Sequence, residues 1–282
     1  MKLITYLLND KEYVGIWNKE KVYPLPFADM NTLIESGKSV DELDALADKE
    51  GAVNFADIKL EAPIPVPKQD VICIGVNYFE HAQESAKYKR EAFGGTHSAV
   101  YFSKRINRMQ TTGDIIPKYT GLVAHLDYEA ELGVIIAKDC KNLAKAEALD
   151  YVFGYTVMND VSSRDLQIEH KEWYFGKSLD GFGIMGPCIV TADEFEKPPK
   201  LELKCYVNDE LRQHSNTADM ITGIDAAIHE LSLGMTLKAG TIISTGTPSG
   251  VGMGFDPPKF LKSGDVVRCV VEKVGEIINT VE

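Results

Sequence analysis

The stretch LDYEAELGVIIA, residues 126–137, reads as a β-strand with two chemically opposed faces. Its two-residue period puts Asp127, Glu129 and Glu131 on one face and Tyr128, Ala130, Leu132 and Val134 on the other. Carboxylates two positions apart sit roughly 7 Å from each other, so they repel modestly in water and more strongly in a cleft unless a cation neutralises them. A half-buried strand with its polar side in water is the alternative, and this segment alone leaves the two readings level.

The surroundings are strand-rich. Residues 71–76 (VICIGV), 99–104 (AVYFSK), 151–160 (YVFGYTVMND), 188–194 (CIVTADE), 201–208 (LELKCYVN), 241–246 (TIISTG) and 265–274 (DVVRCVVEKV) carry strand composition. Helices are expected after Asp160 and over residues 224–236, too few to alternate with the strands. The pattern therefore predicts a β-rich mixed α+β fold, a sandwich or roll, and not a doubly wound sheet. Residues 3–8 and 13–17 predict strands and residues 31–47 helices. The three alternating prolines of EAPIPVPKQD (61–70) then mark a boundary between a small N-terminal α+β domain, residues 1–62, and a catalytic domain, residues 63–282.

Composition narrows the function classes. With 282 residues, 44% hydrophobic, and a formal net charge of −12, the chain can bury a sizeable core but repels polyanions. The basic cluster Lys104–Arg108 suits one small anion, so no nucleic-acid partner is expected. The N-terminus lacks a signal-type apolar segment and no stretch approaches the roughly 18 apolar residues of a membrane span, so a cytoplasmic location without a membrane partner is expected. The five cysteines have no Cys-x-x-Cys pairing and predict buried, reduced thiols.

Asp160, at the end of a strand-like run, adds a third acid to Glu129 and Glu131. It is alone an ordinary helix cap or turn residue, but the three together supply the hard oxygen ligands that Mg²⁺ or Mn²⁺ requires. His-x-x-x-His and Cys-rich spacings are absent, which argues against zinc. His81 and Glu84 in GVNYFEHAQES (75–85) would meet on one helical turn as a general base and its orienting carboxylate; an exposed pair on a polar helix is the commoner outcome of that spacing. Lys177, in the glycine-flanked FGKSLDGFG (175–183), could stabilise an oxyanion or be a solvated loop lysine. The loop STGTPSGVGMG (244–254) offers backbone N–H groups and the Thr247 hydroxyl to an anion, without the ending of a phosphate loop.

In order along the chain, ICIGVNYFEHAQE, DYEAELGVII, GYTVMNDVSSRDLQ, KSLDGFGIMGP and STGTPSGVG resemble the motifs of the fumarylacetoacetate hydrolase family, over roughly residues 70–275. That resemblance implies a mixed β-sandwich roll, usually dimeric, with Glu129, Glu131 and Asp160 holding Mg²⁺ or Mn²⁺ and His81 with Glu84 activating water. It implies that Lys177, Arg164, Gln167 and Thr247 contact substrate or the metal shell. Arg105 is expected to help set substrate choice, because Arg105 and Arg108 stand where many relatives have proline. The polar segment after Glu84, with Gly94 and Gly95, is expected to form a lid over residues 79–98.

The implied chemistry is a metal-stabilised enolate of a small 2-oxo acid. Carbon–carbon cleavage of a 2,4-dioxo acid, of the acylpyruvate or fumarylpyruvate type, ranks first. Decarboxylation of oxaloacetate or a related acid ranks second, and isomerisation of a 2-hydroxymuconate-type dienol third. A noncatalytic binding protein is disfavoured because ligands, dyad and lysine are all present.

Overall fold

The computed structural model describes residues 1–88 and 98–282. The N-terminal part contributes β1 (Lys2–Leu8), β2 (Lys11–Asn18), β3 (Lys21–Leu25), α1 (Met30–Glu35), α2 (Val40–Leu46), β4 (Val53–Asn54) and β5 (Lys59–Glu61). Then come β6 (Val71–Gly75), α3 (Phe79–Tyr88), β7 (Val100–Lys104), β8 (Ile115–Ile116), β9 (Leu126–Asp127) and β10 (Ala130–Ile136). They are followed by β11 (Val152–Asp160), β12 (Ser162–Ser163), α4 (Arg164–Glu169), α5 (Tyr174–Lys177) and β13 (Gly183–Thr191). The chain closes with β14 (Glu202–Val207), β15 (Glu210–Asn216), α6 (Ile224–Gly234), β16 (Ile242–Ser244), β17 (Val266–Val271) and β18 (Gly275–Val281).

An 11-stranded mixed sheet runs β4-β3-β2-β1-β13-β11-β10-β16-β6-β7, with β5 also paired to β1, and a 5-stranded sheet runs β15-β14-β17-β18-β8. This is the strand-dominated α+β fold that the sequence predicts. The two sheets share a core in which Leu132 and Val134 of β10 meet Leu203 and Cys205 of β14 and Cys269 of β17. The opposite face of β10 is covered too: Ile135 packs in a second cluster with Cys73, Met158 and Met185. The alternation of the opening stretch therefore survives, but both of its faces are buried. The strand also breaks at Tyr128–Glu129, leaving the short β9 paired with β12.

β13 starts five residues earlier than the run CIVTADE suggests and ends at Thr191, so the last three expected residues, 192–194, are not strand. Gly186 and Pro187 both fall inside β13. Here they lie where the pairing of β11 with β13 shifts register between Tyr155 and Val157, an irregularity that accommodates a residue with no N–H to donate.

The segment before the proline-rich connector is not a separate layer. β1 pairs antiparallel with β13, Leu3 opposite Ile189, and carries the N-terminal hairpins onto the end of the large sheet. All five cysteines are buried thiols. Among the described residues no helix is long and apolar enough to cross a membrane. Of the expected lid, α3 is described, whereas Gly94 and Gly95 lie outside the described residues.

A chain cut after residue 62 would bare the β13 edge and the apolar surface under Leu3 and Ile4, which are fully buried in the intact protein. Size-exclusion chromatography should find that fragment aggregated; a monodisperse fragment melting at the full-length temperature would contradict the shared-sheet account.

Candidate active site

Three carboxylates meet where the start of β10 faces the end of β11. Glu129, Glu131 and Asp160 are buried, and each offers an oxygen within 4.8 Å of the others. The backbone draws them together: Asp160 N–H donates to Glu129 O at 2.9 Å, and Glu129 N–H donates to Asn159 Oδ1 at 3.1 Å. The alternative of a polar face in water is thereby removed.

Buried like charges are costly unless cations or oriented dipoles offset them. Lys177, at the end of α5, places Nζ 2.8 Å from Glu129 Oε2 and 2.8 Å from Asp160 Oδ2. Lys104, fully buried at the end of β7, donates to Asp160 Oδ1 and, at 2.9 Å, to Val161 O. Arg164, first residue of α4, spans Asp127 Oδ2 (Nε, 2.8 Å) and Glu129 Oε1 (Nη1, 2.7 Å). Glu131 has dipoles instead, accepting from Ser244 Oγ at 2.5 Å and Gly246 N–H at 2.8 Å. Gly246 sits at φ +93°, where a side chain would be strained, so glycine lets that N–H turn towards Glu131.

The offsets are uneven. Burial, then the charges of Asp160 and Glu129, push the Glu131 carboxyl up to about 8. Burial acts on Glu129 too, but Lys177 and Arg164 outweigh it and hold that carboxyl well below the usual range. Glu131 is thus the carboxylate least offset by cations, and a hard divalent cation would offset it. Three carboxylate oxygens fit Mg²⁺ or Mn²⁺, and a donor set without His or Cys does not suit zinc.

Beside the cluster lies a narrow cleft, partly open to solvent, with a free volume of about 30 Å³. His81, Glu129, Arg164, Gln167, Lys177 and Thr247 line its polar side. His81 Nδ1 bonds Glu84 Oε2 at 2.8 Å, and Gly250 N–H donates to the other Glu84 oxygen at 3.0 Å, so the expected dyad forms on α3. Gln167 Oε1 accepts from Arg164 Nη1 at 3.0 Å. Arg164 Nη2 is buried without a partner among the described residues.

Two expectations change. Arg105 is not in the cleft: it is exposed, and its backbone N–H donates to Ser178 Oγ at 3.0 Å. Strand alternation sends Phe102 and Lys104 inward, and Arg105 follows where the strand has ended. The loop 244–254 does hold carboxylates, but they are the protein's own. Its N–H groups serve Glu131 from Gly246, Glu84 from Gly250, and Asp127 from Gly252 (2.7 Å) and Met253 (3.0 Å). The Thr247 hydroxyl is likewise engaged, donating to Ala130 O at 2.9 Å and accepting from Gln213 Nε2 at 2.7 Å. Sequence reasoning passes over Lys104 as a ligand partner and over Ser244, Phe102 and Trp173. A lone lysine on the inward face of an apolar strand was the available signal for the first.

The family model described as fumarylacetoacetate (FAA) hydrolase C-terminal matches residues 70–282. The chain belongs to this family. Among its relatives, the oxaloacetate tautomerase YisK of Bacillus subtilis is 45% identical over 228 residues, covering 81% of this chain and 74% of that protein. The fumarylacetoacetate hydrolase of Exiguobacterium antarcticum is 36% identical, with a TM-score of 0.87 over 100% of this chain and 99% of that one. The 2-hydroxyhepta-2,4-diene-1,7-dioate isomerase of Mycobacterium marinum is 28% identical, with a TM-score of 0.78 over 100% and 98%. The chain is therefore an enzyme of a family whose members include hydrolases, isomerases and tautomerases.

Replacing Lys104 by Met would leave Asp160 Oδ1 buried without its cation. Chemical denaturation without added metal should show a loss of about 3 kcal/mol, the lower end of the cost of breaking a buried ion pair, since Lys177 still holds Oδ2. Unchanged stability would mean that Lys104 does not balance the site.

Proposed function

We propose that this enzyme moves a proton at the carbon next to the ketone of a small 2-oxo diacid, interconverting the keto and enol forms of oxaloacetate with the help of Mg²⁺ or Mn²⁺. The observation that carries the reading is the His81–Glu84 dyad opening onto the same narrow cleft as Glu129, Arg164 and Lys177. The 45% identity to an oxaloacetate tautomerase supports the substrate and draws proton transfer ahead of carbon–carbon cleavage, which the sequence alone ranks first.

Glu84 fixes the imidazole. With Nδ1–H donating to Glu84 Oε2, the proton-accepting atom of His81 is Nε2, and Glu84 stabilises the imidazolium once it forms. Glu129, Glu131 and Asp160 would hold the divalent ion, which when bound polarises the 2-oxo group and stabilises charge developing on its oxygen. The unpartnered Nη2 of Arg164 supplies a donor for a substrate carboxylate, and Gln167, fixed by Arg164, flanks it. His81 Nε2 takes the C3 proton, the C–H electron pair moves into the C2–C3 bond, and the oxo oxygen gains the negative charge. Lys177, lying against Glu129, adds a positive charge at that end. Return of the proton from His81 to the oxygen gives the enol, and return to C3 restores the ketone.

A hydrolytic reading uses the same base on water, and the whole-chain likeness to a fumarylacetoacetate hydrolase favours keeping it as the second. Ultraviolet absorbance of the enol follows tautomerisation directly. With Mn²⁺ present, wild-type protein should speed decay of enol-oxaloacetate, chelator should abolish the effect, and His81→Ala should slow it roughly 10²–10⁴-fold. Undiminished activity of His81→Ala would reject His81 as the base. Faster metal-dependent cleavage of acetylpyruvate than tautomerisation of oxaloacetate would transfer the proposal to the hydrolase reading.

A further inference from the structure

The polar side of the cleft accounts for the reacting part of a 2-oxo acid, and its other wall is built around an unusual close approach. Gly75 ends β6, and a Cβ there would stand 2.2 Å from Cζ3 and 2.7 Å from Cη2 of Trp173. Only a residue without a side chain lets the indole lie at this place. Trp173 in turn meets Phe102 edge to face, with ring centroids 5.1 Å apart and planes at 73°. The Phe102 ring lies 5.4 Å from Lys177 Nζ, the ammonium that touches Glu129 and Asp160. The acidic cluster and the indole are thus separated by little more than one lysine terminus and one phenyl ring.

Three elements converge to make this wall: β6 supplies the gap, β7 supplies Phe102, and the turn between α4 and α5 supplies Trp173. All three residues line the cleft. An edge-to-face aromatic pair backed by strand backbone is stiff, because neither ring can rotate away without losing the other. The rings of such a wall act on the space left for whatever extends beyond the reacting atoms.

We infer that Trp173, admitted by Gly75 and braced by Phe102, is a specificity-determining residue that limits the chain length of the 2-oxo acid the cleft accepts. The inference rests on the 2-oxo acid reading of the site and deepens it: the substrates are short acids, and longer acyl chains are shut out by the indole.

The test is binding, measured calorimetrically on full-length protein loaded with Mn²⁺. Oxalate, which carries no chain, is the reference ligand, and 2-oxobutyrate, 2-oxohexanoate and 2-oxooctanoate are each expressed relative to oxalate within the same variant. In the wild type relative affinity should fall as the chain lengthens. In Trp173→Ala the relative affinity for the two longest acids should rise by about tenfold or more, the scale of a methylene's worth of fit in an apolar pocket. Trp173→Phe, which keeps a ring and guards against a folding failure of the alanine variant, should fall between. Gly75→Ala, which must displace the indole, should disturb the length profile of the wild type but not that of a protein already carrying Trp173→Ala.

Superimposable length profiles for wild type, Trp173→Phe and Trp173→Ala would overturn the inference while leaving the 2-oxo acid reading intact. Failure of oxalate itself to bind any Mn²⁺-loaded form would reject that reading and the inference with it.

Discussion

Four carboxylates buried within one strand-rich core constrain everything around them. Asp127, Glu129, Glu131 and Asp160 are nearly or wholly removed from water, and Lys104, Arg164 and Lys177 are buried with them. Carboxylates that cannot be hydrated must be paired, bonded or protonated. The two inward lysines, the first residue of α4 and the glycine loop after β16 are all arranged to meet that need. Glu131 is the least offset of them, and it belongs to the triad that could hold a divalent cation. Ligand placement, pairing and the local fold are therefore one problem with one solution.

The same arrangement explains why one scaffold hosts several reactions. An acidic cluster that can take a hard cation, a base oriented by a carboxylate and an unpartnered guanidinium nitrogen together serve an enolate, whichever bond is broken to form it. The space next to this centre is the cleft into which His81 opens. The aromatic pair of Phe102 and Trp173 lines this space, whereas the carboxylates and their cations form the polar centre beside it.

Much of this was legible in the sequence. Period-two alternation located β10, strand composition located β11, and the order of five motifs brought His81, Glu84, Glu129, Glu131, Asp160, Arg164, Gln167, Lys177 and Thr247 into one reading. What stayed hidden depends on which partner a group finds in three dimensions. The free N–H groups of residues 244–254 looked like an anion site for a ligand, yet internal carboxylates separated from them by more than a hundred residues occupy four of them, at Gly246, Gly250, Gly252 and Met253. Arg105 looked like the anion-facing member of a basic cluster, and the pleat gave that inward position to Lys104 instead. β13 extends beyond the run CIVTADE to include Gly186 and Pro187, and the irregular pairing with β11 makes room for them.

The claim on which the account stands is that the buried triad is a divalent cation site completed by a 2-oxo acid. Calorimetric titration of Mn²⁺ into chelator-stripped protein, with and without saturating oxalate, measures it directly. The account predicts one ion per chain, bound more tightly when oxalate is present, and no saturable binding in Glu131→Gln. Binding of Mn²⁺ that is indifferent to both oxalate and the Glu131 substitution would contradict it.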